Sequence, residues 1–324
     1  MSIVGRIAGA ALSAVVLSAS QPAAAQPYPS KPVRIIVSFP AGGIADLYAR
    51  IIGAKVQEAW GQAVVVENRT GAGGNIGAEA VAKSAPDGYT FNMSSIGPHA
   101  VNVSLFARLP FDPVRDFAPV AMVLEAEGLL VLHPSIPANS VAELIAYARA
   151  NPAKLTFASA GMGTASHLAG ELFKSMARVD MTHVPYKGNV PAITDLLAGQ
   201  TSLLFATMPT VLPHAKAGKL RALATIGSAR SAAAPELPTI GESLPGFEVN
   251  NWIGLFAPAG TPPEIVRRWN AEVTRIMQSP DIQARLPNEG ARFTPNTPEQ
   301  FAAFVKAEIA KWAPVVKASG ARVD

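Results

Sequence analysis

Cysteine is absent from all 324 residues. That absence excludes disulfides, thiolate metal sites, cysteine nucleophiles and the lipid-bearing cysteine of a lipoprotein. Charge is sparse, at 15% of residues, with 27 basic against 23 acidic side chains and no basic run. Nucleic acid is therefore not an expected partner. The histidines (His99, His133, His167, His183 and His214) are scattered and form no H-x-x-x-H or H-E-x-x-H pair, so no metal is expected. A G-x-S-x-G elbow is missing, because Ser159-Ala160-Gly161 lacks the preceding glycine. The stretch Thr70-Gly71-Ala72-Gly73-Gly74-Asn75-Ile76-Gly77 comes near a dinucleotide pattern but fails it. Ile76 stands where G-x-G-x-x-G has its last glycine, and none of the five tyrosines has a lysine four residues on. No cofactor is expected.

Long apolar runs are missing beyond the first residues. Met1 to Ser20 carry one charged side chain, Arg6, and an Ala/Val/Leu-rich run broken by Ser13, Ser18 and Ser20. Ala23-Ala24-Ala25 follow. This is the layout of a secretory signal cleaved after Ala25, and the run is short for a membrane anchor. Residues 1–25 are read as signal peptide and the rest as an exported, soluble protein.

What is present is a strong alternation of strands and helices. Val33 to Val37 is a β-branched run after Pro32, and Pro40 closes it shortly beyond. Ala41-Gly42-Gly43 form a turn, and Tyr48, Ile51, Ile52, Val56 and Trp60 recur at helical spacing after it. Such a turn, opening a helix, is a natural anion seat. Further strands are expected at Ala63–Val66, Tyr89–Met93, Phe117–Val123 and Leu129–Leu132. Ser140 and Glu143 form a capping-box pair before the helix of Val141, Leu144, Ile145 and Ala148.

The opening theme then recurs, with strand Leu155 to Ser159, a Gly-rich turn Ala160 to Ser166, and a helix from His167 to Met176. Strands at Thr182–Pro185, Leu203–Phe205 and Leu220–Thr225 and a helix at Pro191–Ala198 continue the alternation. Phe247 to Phe256 is extended, and helices are expected at Pro262–Met277, near Asp281–Leu286 and at Pro298–Lys317. The pattern implies an α/β fold with mostly parallel sheets flanked by helices. Two strand–Gly-turn–helix units facing each other would place two sets of N–H donors on one ligand. His167 reads as a packing or capping residue, Lys187 as a solvated turn lysine, and Trp252 either as a ligand cover or as packing.

The motifs together resemble a known family. They are Tyr28-Pro-Ser-Lys-Pro-Val-Arg-Ile-Ile-Val, Phe39-Pro-Ala-Gly-Gly, Asp46 with Ala49-Arg50, and Val65-Val-Glu-Asn-Arg with Gly71-Ala-Gly-Gly-Asn-Ile-Gly. Further on stand Ala85-Pro-Asp-Gly-Tyr-Thr, Leu109-Pro-Phe-Asp-Pro, Asp116-Phe-Ala-Pro-Val, Ser159 to His167, His183-Val-Pro-Tyr-Lys-Gly and Gly254-Leu-Phe-Ala-Pro-Ala-Gly-Thr-Pro. In that order they resemble the substrate-binding proteins of tripartite tricarboxylate transporters, the Bug family.

The resemblance implies a two-domain periplasmic binding protein of type II, a Venus flytrap. Residues 26–125 plus 250–324 would form domain one and 126–249 domain two. It implies a carboxylate held by Phe39, Ala41, Gly42, Gly43, Ser94 and Ser95 of one domain. Ser159, Gly163, Thr164, Ala165, Ser166 and Thr207 would hold it from the other. The implied partners are a small organic acid and membrane transporter subunits, with the binding protein a monomer. Two departures stand out. Ala45 replaces a hydroxyl residue, and Ala206-Thr207 replace an Asp-Asn pair, which disfavours an amino-acid ligand. The competing readings are a ligand sensor for a signalling partner and, from another class, a periplasmic hydrolase or dehydrogenase.

Overall fold

The computed structural model describes residues 28–249, 251–319 and 322–323. The expected signal segment 1–25 lies outside the described residues. Two mixed sheets organise the chain. The first contains β1 (Val33–Val37), β2 (Val64–Asn68), β3 (Thr90–Ser95), β4 (Phe117–Ala126), β10 (Asn251–Pro258) and β11 (Ala291–Arg292), in the order β11-β4-β10-β3-β1-β2. The second contains β5 (Gly128–Leu132), β6 (Thr156–Ser159), β7 (Thr182–Pro185), β8 (Leu203–Thr207) and β9 (Arg221–Thr225), in the order β7-β6-β8-β5-β9.

Each sheet is parallel on one side and antiparallel on the other, which corrects the expectation of mostly parallel sheets. β2, β1 and β3 run parallel, while β10 opposes both β3 and β4. Likewise β7, β6 and β8 are parallel and β5 opposes β8 and β9. The reason is connectivity. A parallel neighbour needs a helical crossover, yet β5 follows β4 after one residue, Glu127, and enters the second sheet directly from the first. Strand β10 makes the return passage. The same strands that join the two domains are thus the ones that break the parallel pattern.

Helices α1 (Ile44–Trp60), α2 (Asn75–Ala82), α8 (Pro263–Met277), α9 (Pro280–Arg285) and α10 (Pro298–Ser319) belong with the first sheet, and α4 (Val141–Ala150), α5 (Ala165–Ala177) and α6 (Asn189–Leu197) with the second. Ser140 accepts from the Glu143 N–H at 3.1 Å, but the Glu143 carboxylate reaches back to the Asn139 N–H rather than to Ser140. Several elements escaped the sequence reading, the short strand β11 among them. A π turn at Gly97–Val101 runs into the short helix α3 (Asn102–Leu105), and α7 (Met208–Lys216) follows β8 without a break. In α7, Pro209 sits in the first turn where its missing N–H is harmless, and Pro213 inside the helix masks the pattern.

The return strand β10 is buried along its whole length. Trp252 packs edge-on against Phe301 and Phe304 and is only 1% exposed, so it serves packing, not ligand cover. Its indole N–H and that of Trp312 both donate to the buried carboxylate of Glu308, each at 3.1 Å. One acceptor therefore fixes α10 against the strand that carries Asn251. Glu308→Ala strands two buried donors, and each orphan costs on the order of 1–3 kcal/mol. A markedly lower urea midpoint with an unchanged m-value is expected; a wild-type midpoint would sink this account.

Candidate functional site

The two sheets face each other across a cavity of about 70 Å³. Its walls are built from the first turns of helices. Gly43, Ile44 and Ala45 come from α1, Thr164, Ala165 and Ser166 from α5, Asn189 and Val190 from α6, and Thr207 from the N-terminus of α7. Gly128, Ile226, Asn251 and Ile253 line it as well. None of the lining residues carries a charge.

The glycine turn before α1 is held by a single carboxylate. Asp46 accepts the Gly42 N–H at 3.0 Å, the Arg50 guanidinium at 2.8 and 3.1 Å, and the Asn68 amide at 2.9 Å. Asn68 also donates to the Phe39 carbonyl at 2.9 Å, tying β2 to the same turn. Burial pushes the Asp46 carboxyl up, but its bonds from Arg50, Gly42 and Asn68 outweigh that and hold it below the usual carboxylate range.

Each jaw spends most of its turn donors internally. The Gly42 N–H goes to Asp46, the Ala160 N–H to Ser166 Oγ at 2.8 Å, the Gly161 N–H to Ser159 Oγ at 3.1 Å, and the Gly163 N–H to His167 Nδ1 at 3.2 Å. What remains are the first-turn N–H groups of α1 and α5. Neither helix has a side-chain cap, Gly43 and Thr164 being extended N-caps without a capping bond. Those groups carry the positive ends of two helix dipoles into one cavity. Thr164 Oγ1 donates to the Gly161 carbonyl at 2.7 Å, and the 2.9 Å contact between Thr164 and Ser166 closes the local network.

Of the residues expected from sequence, Phe39, Gly43, Ser95, Thr164, Ala165, Ser166 and Thr207 line the cavity. Ala41 and Gly42 are exposed and are not among the lining residues. Ser94 is fully buried on the far face of β3, opposite to its neighbour Ser95, as strand alternation requires. Ser159 is buried and bonded to His183 Nε2 at 2.6 Å, behind the α5 turn. Gly163 faces the other domain, where a Cβ would fall 1.8 Å from Asn102 Oδ1. The sequence reading missed Asn189, Val190 and Asn251. The signal for the first two was Gly188 before a helix start, a third repeat of the opening theme. Asn251 had no such signal.

The remaining candidates resolve into structure. His167 and His183 stack at 4.4 Å, and burial lowers them to about 4 and about 3, with positive neighbours adding to the effect. Both are neutral at pH 7 and sit beneath the α5 turn. His99 is buried against Phe256 at 3.7 Å, and desolvation lowers it to about 3. Lys187 is exposed. Gly77, in the stretch that mimics a dinucleotide motif, meets the Ser38 backbone, where a Cβ would lie 2.8 Å from Cα. Among the described residues no cluster of His, Cys, Asp and Glu fits a metal ion.

Residues 48–321 match the family model described as the tripartite tricarboxylate transporter family receptor. Protein BugT of Bordetella pertussis is 40% identical over 304 residues, covering 93% of each chain. A solved R. palustris protein with adipate superposes with a TM-score of 0.88 at 39% identity, covering 91% of this chain and 100% of that one. MatC from Rhodopseudomonas palustris with bound malate gives 0.85 at 36% identity, covering 89% of this chain and 100% of that one.

Asp46→Asn removes the charge that gathers the turn, and bonds to a charged group are worth roughly 1.5–3 kcal/mol. Because the folded carboxyl titrates below its unfolded value, its stabilisation is full above about pH 4 and lost as pH falls through the folded value. Denaturation at pH 7 is expected to show a clear loss for the variant, shrinking toward pH 3. A pH-independent difference would contradict the ionised tie.

Proposed function

Since the chain belongs to the tripartite tricarboxylate transporter family of receptors, we propose that it captures a small mono-, di- or tricarboxylate in this cavity and delivers it to membrane subunits of such a transporter. It is a solute-binding protein, as its family and structural neighbours are, and not an enzyme. The observation that carries the ligand class is the pair of uncapped helix N-termini, α1 and α5, aimed at one cavity with no charged lining residue. A helix N-terminus favours an anion through its free N–H groups and dipole.

In this reading the acid is bound by backbone donors of Ile44, Ala45, Ala165 and Ser166, with Ser95 and the Thr207 wall beside it. Relatives solved with adipate and malate support a carboxylate of a few carbons. Without an acidic side chain in the lining, an ammonium has no counter-ion, which favours plain acids over amino acids. Domain one would comprise 26–125 plus 250–324 and domain two 126–249. The two close over the ligand about the passages at Glu127 and before Asn251. Residues 1–25 direct export and are removed, and the mature protein works as a monomer in the periplasm. No helix of the described residues is long and apolar enough to cross a membrane.

A thermal-shift screen of carboxylic acids on the mature protein tests the class, because a ligand of the native state alone raises the melting temperature. Carboxylates should shift it, while neutral sugars and cations should not; the reverse result defeats the proposal. A sharper test is Ala165→Pro. The N-cap Thr164 is extended and proline is tolerated at the first helical position, so the fold survives while one N–H is lost. Affinity for the best acid should fall at least about tenfold, as for a bond to a charged group. An unchanged affinity would remove α5 from the site.

A further inference from the structure

We propose that His167 is a positioning residue for ligand capture: as a neutral acceptor it fixes the Gly163 peptide, and through it both the first turn of α5 and the contact of that turn with Asn102. The inference rests on the carboxylate reading above. His167 is the third residue of α5 and is buried. Its Nδ1 accepts the N–H of Gly163, the residue before the N-cap Thr164, at 3.2 Å. The first jaw is built the same way. Asp46 is the third residue of α1 and accepts the N–H of Gly42, the residue before the N-cap Gly43. Glu143 in α4 does so again with Asn139, the residue before the N-cap Ser140. These three helices share one device, a third-position side chain that reaches back past the cap to an otherwise orphaned donor. Of the three acceptors, only the imidazole is uncharged.

Behind α1 the acceptor's charge is balanced by Arg50. Behind α5 the imidazole makes the same bond without placing a negative charge under the turn that faces the acid. Its ring is held by His183 of β7, which stacks on it at 4.4 Å and is itself anchored to Ser159 Oγ at 2.6 Å. What the bond controls is visible at Gly163. With φ at 78°, a Cβ there would fall 1.8 Å from Asn102 Oδ1, so it is bare backbone that closes against Asn102. Thr164, Ala165 and Ser166 follow directly and line the cavity. One N–H therefore sets a wall of the site and a contact across it. Because Nδ1 accepts, the proton of the neutral ring sits on Nε2, and a second proton at Nδ1 would face the Gly163 donor with another donor. Lys174 of the same helix, paired with Glu171 at 3.2 Å, and His183 are the titratable groups that face the ring. Burial, helped by Lys174, lowers His167 to about 4, so the bond holds at neutral pH.

The test compares His167→Asn with His167→Gln in the mature protein. Asn puts an acceptor where Nδ1 stands, whereas Gln puts it one bond farther out, near Nε2. A packing role ranks the larger Gln above Asn; the proposed bond ranks Asn above Gln. Isothermal titrations at pH 7 with acetate, succinate, L-malate, adipate and citrate identify the acid that wild type binds best. His167→Asn should bind that acid nearly as wild type does, and His167→Gln at least about fivefold more weakly, as for one lost hydrogen bond. As pH falls from 7 toward 4, wild type should weaken relative to His167→Asn, because only wild type loses its acceptor by protonation. Protonation of the acid itself affects both proteins alike. Hydrogen exchange at the Gly163 amide reads the bond without any ligand: slow in wild type and His167→Asn, fast in His167→Gln. Tighter binding by His167→Gln than by His167→Asn overturns the inference, as does a freely exchanging Gly163 amide in wild type or an affinity ratio that does not change with pH. If wild type binds none of the five acids, the underlying carboxylate reading fails instead.

Discussion

The glycine turn that opens α1 depends on the Asp46 carboxylate. It gathers the Gly42 N–H, the Arg50 guanidinium and the Asn68 amide, and Asn68 carries the tie on to the Phe39 carbonyl. A turn of Phe39-Pro40-Ala41-Gly42-Gly43 has little of its own to hold it, because after Phe39 its residues are small or, at Pro40, lack an N–H. The tie converts it into a fixed entry to α1. It also consumes the donor that the turn offers most obviously. On the proposed reading, the anion seat therefore lies one step along the chain, at the first turn of the helix rather than at the glycines.

A neutral seat has consequences that a charged one would not. A buried arginine aimed at the cavity would need its own desolvation compensated in the empty protein, and leaving it unpaired would be strongly destabilising. Backbone N–H groups at a helix start are already part of the fold and carry roughly half a unit charge without being ionisable. Two such ends line one cavity, and on the proposed reading they attract a carboxylate from both sides. Neither domain alone completes the arrangement. On the proposed reading, ligand binding and domain closure are coupled by differential contact, because a state with the two sheets apart would not bring both sets of donors to one ligand.

The fold was largely legible in the sequence because most of its strands are short apolar runs, β-branched in β1 and β2, between Pro- and Gly-containing turns. The repeat of strand, glycine turn and helix at residues 33–60 and 156–177 pointed to two jaws. Legibility failed where topology, not local pattern, decides. The antiparallel strands β5 and β10 are antiparallel because the chain crosses between domains there, and no residue type announces that. Asn251 reaches the cavity only because β10 begins at the crossing. The glycines were read as ligand donors for the same reason. Their flexibility is visible in sequence, whereas the partners of their N–H groups are not. Asn189 was hidden behind Lys187, whose charge drew the reading to the solvent side of the same turn.

Several glycines serve closure. A Cβ at Gly73, whose φ is 64°, would fall 2.1 Å from the Met162 carbonyl across the cleft. At Gly163, with φ at 78°, it would meet Asn102, and at Gly188, with φ at 131°, Pro40 at 2.4 Å. Each position combines a left-handed or otherwise glycine-favouring backbone with direct contact from the opposite domain. Asn102 is itself steadied by its amide bond to Asn75 at 2.6 Å, so the surface that Gly163 meets is not free to retreat. In the stretch Gly71-Ala-Gly-Gly-Asn-Ile-Gly, which looks like a phosphate-binding loop, Gly73 is thus the place where one domain's backbone makes room for the other's. The same residue type that a nucleotide fold uses to approach a phosphate is used here to let two domains meet.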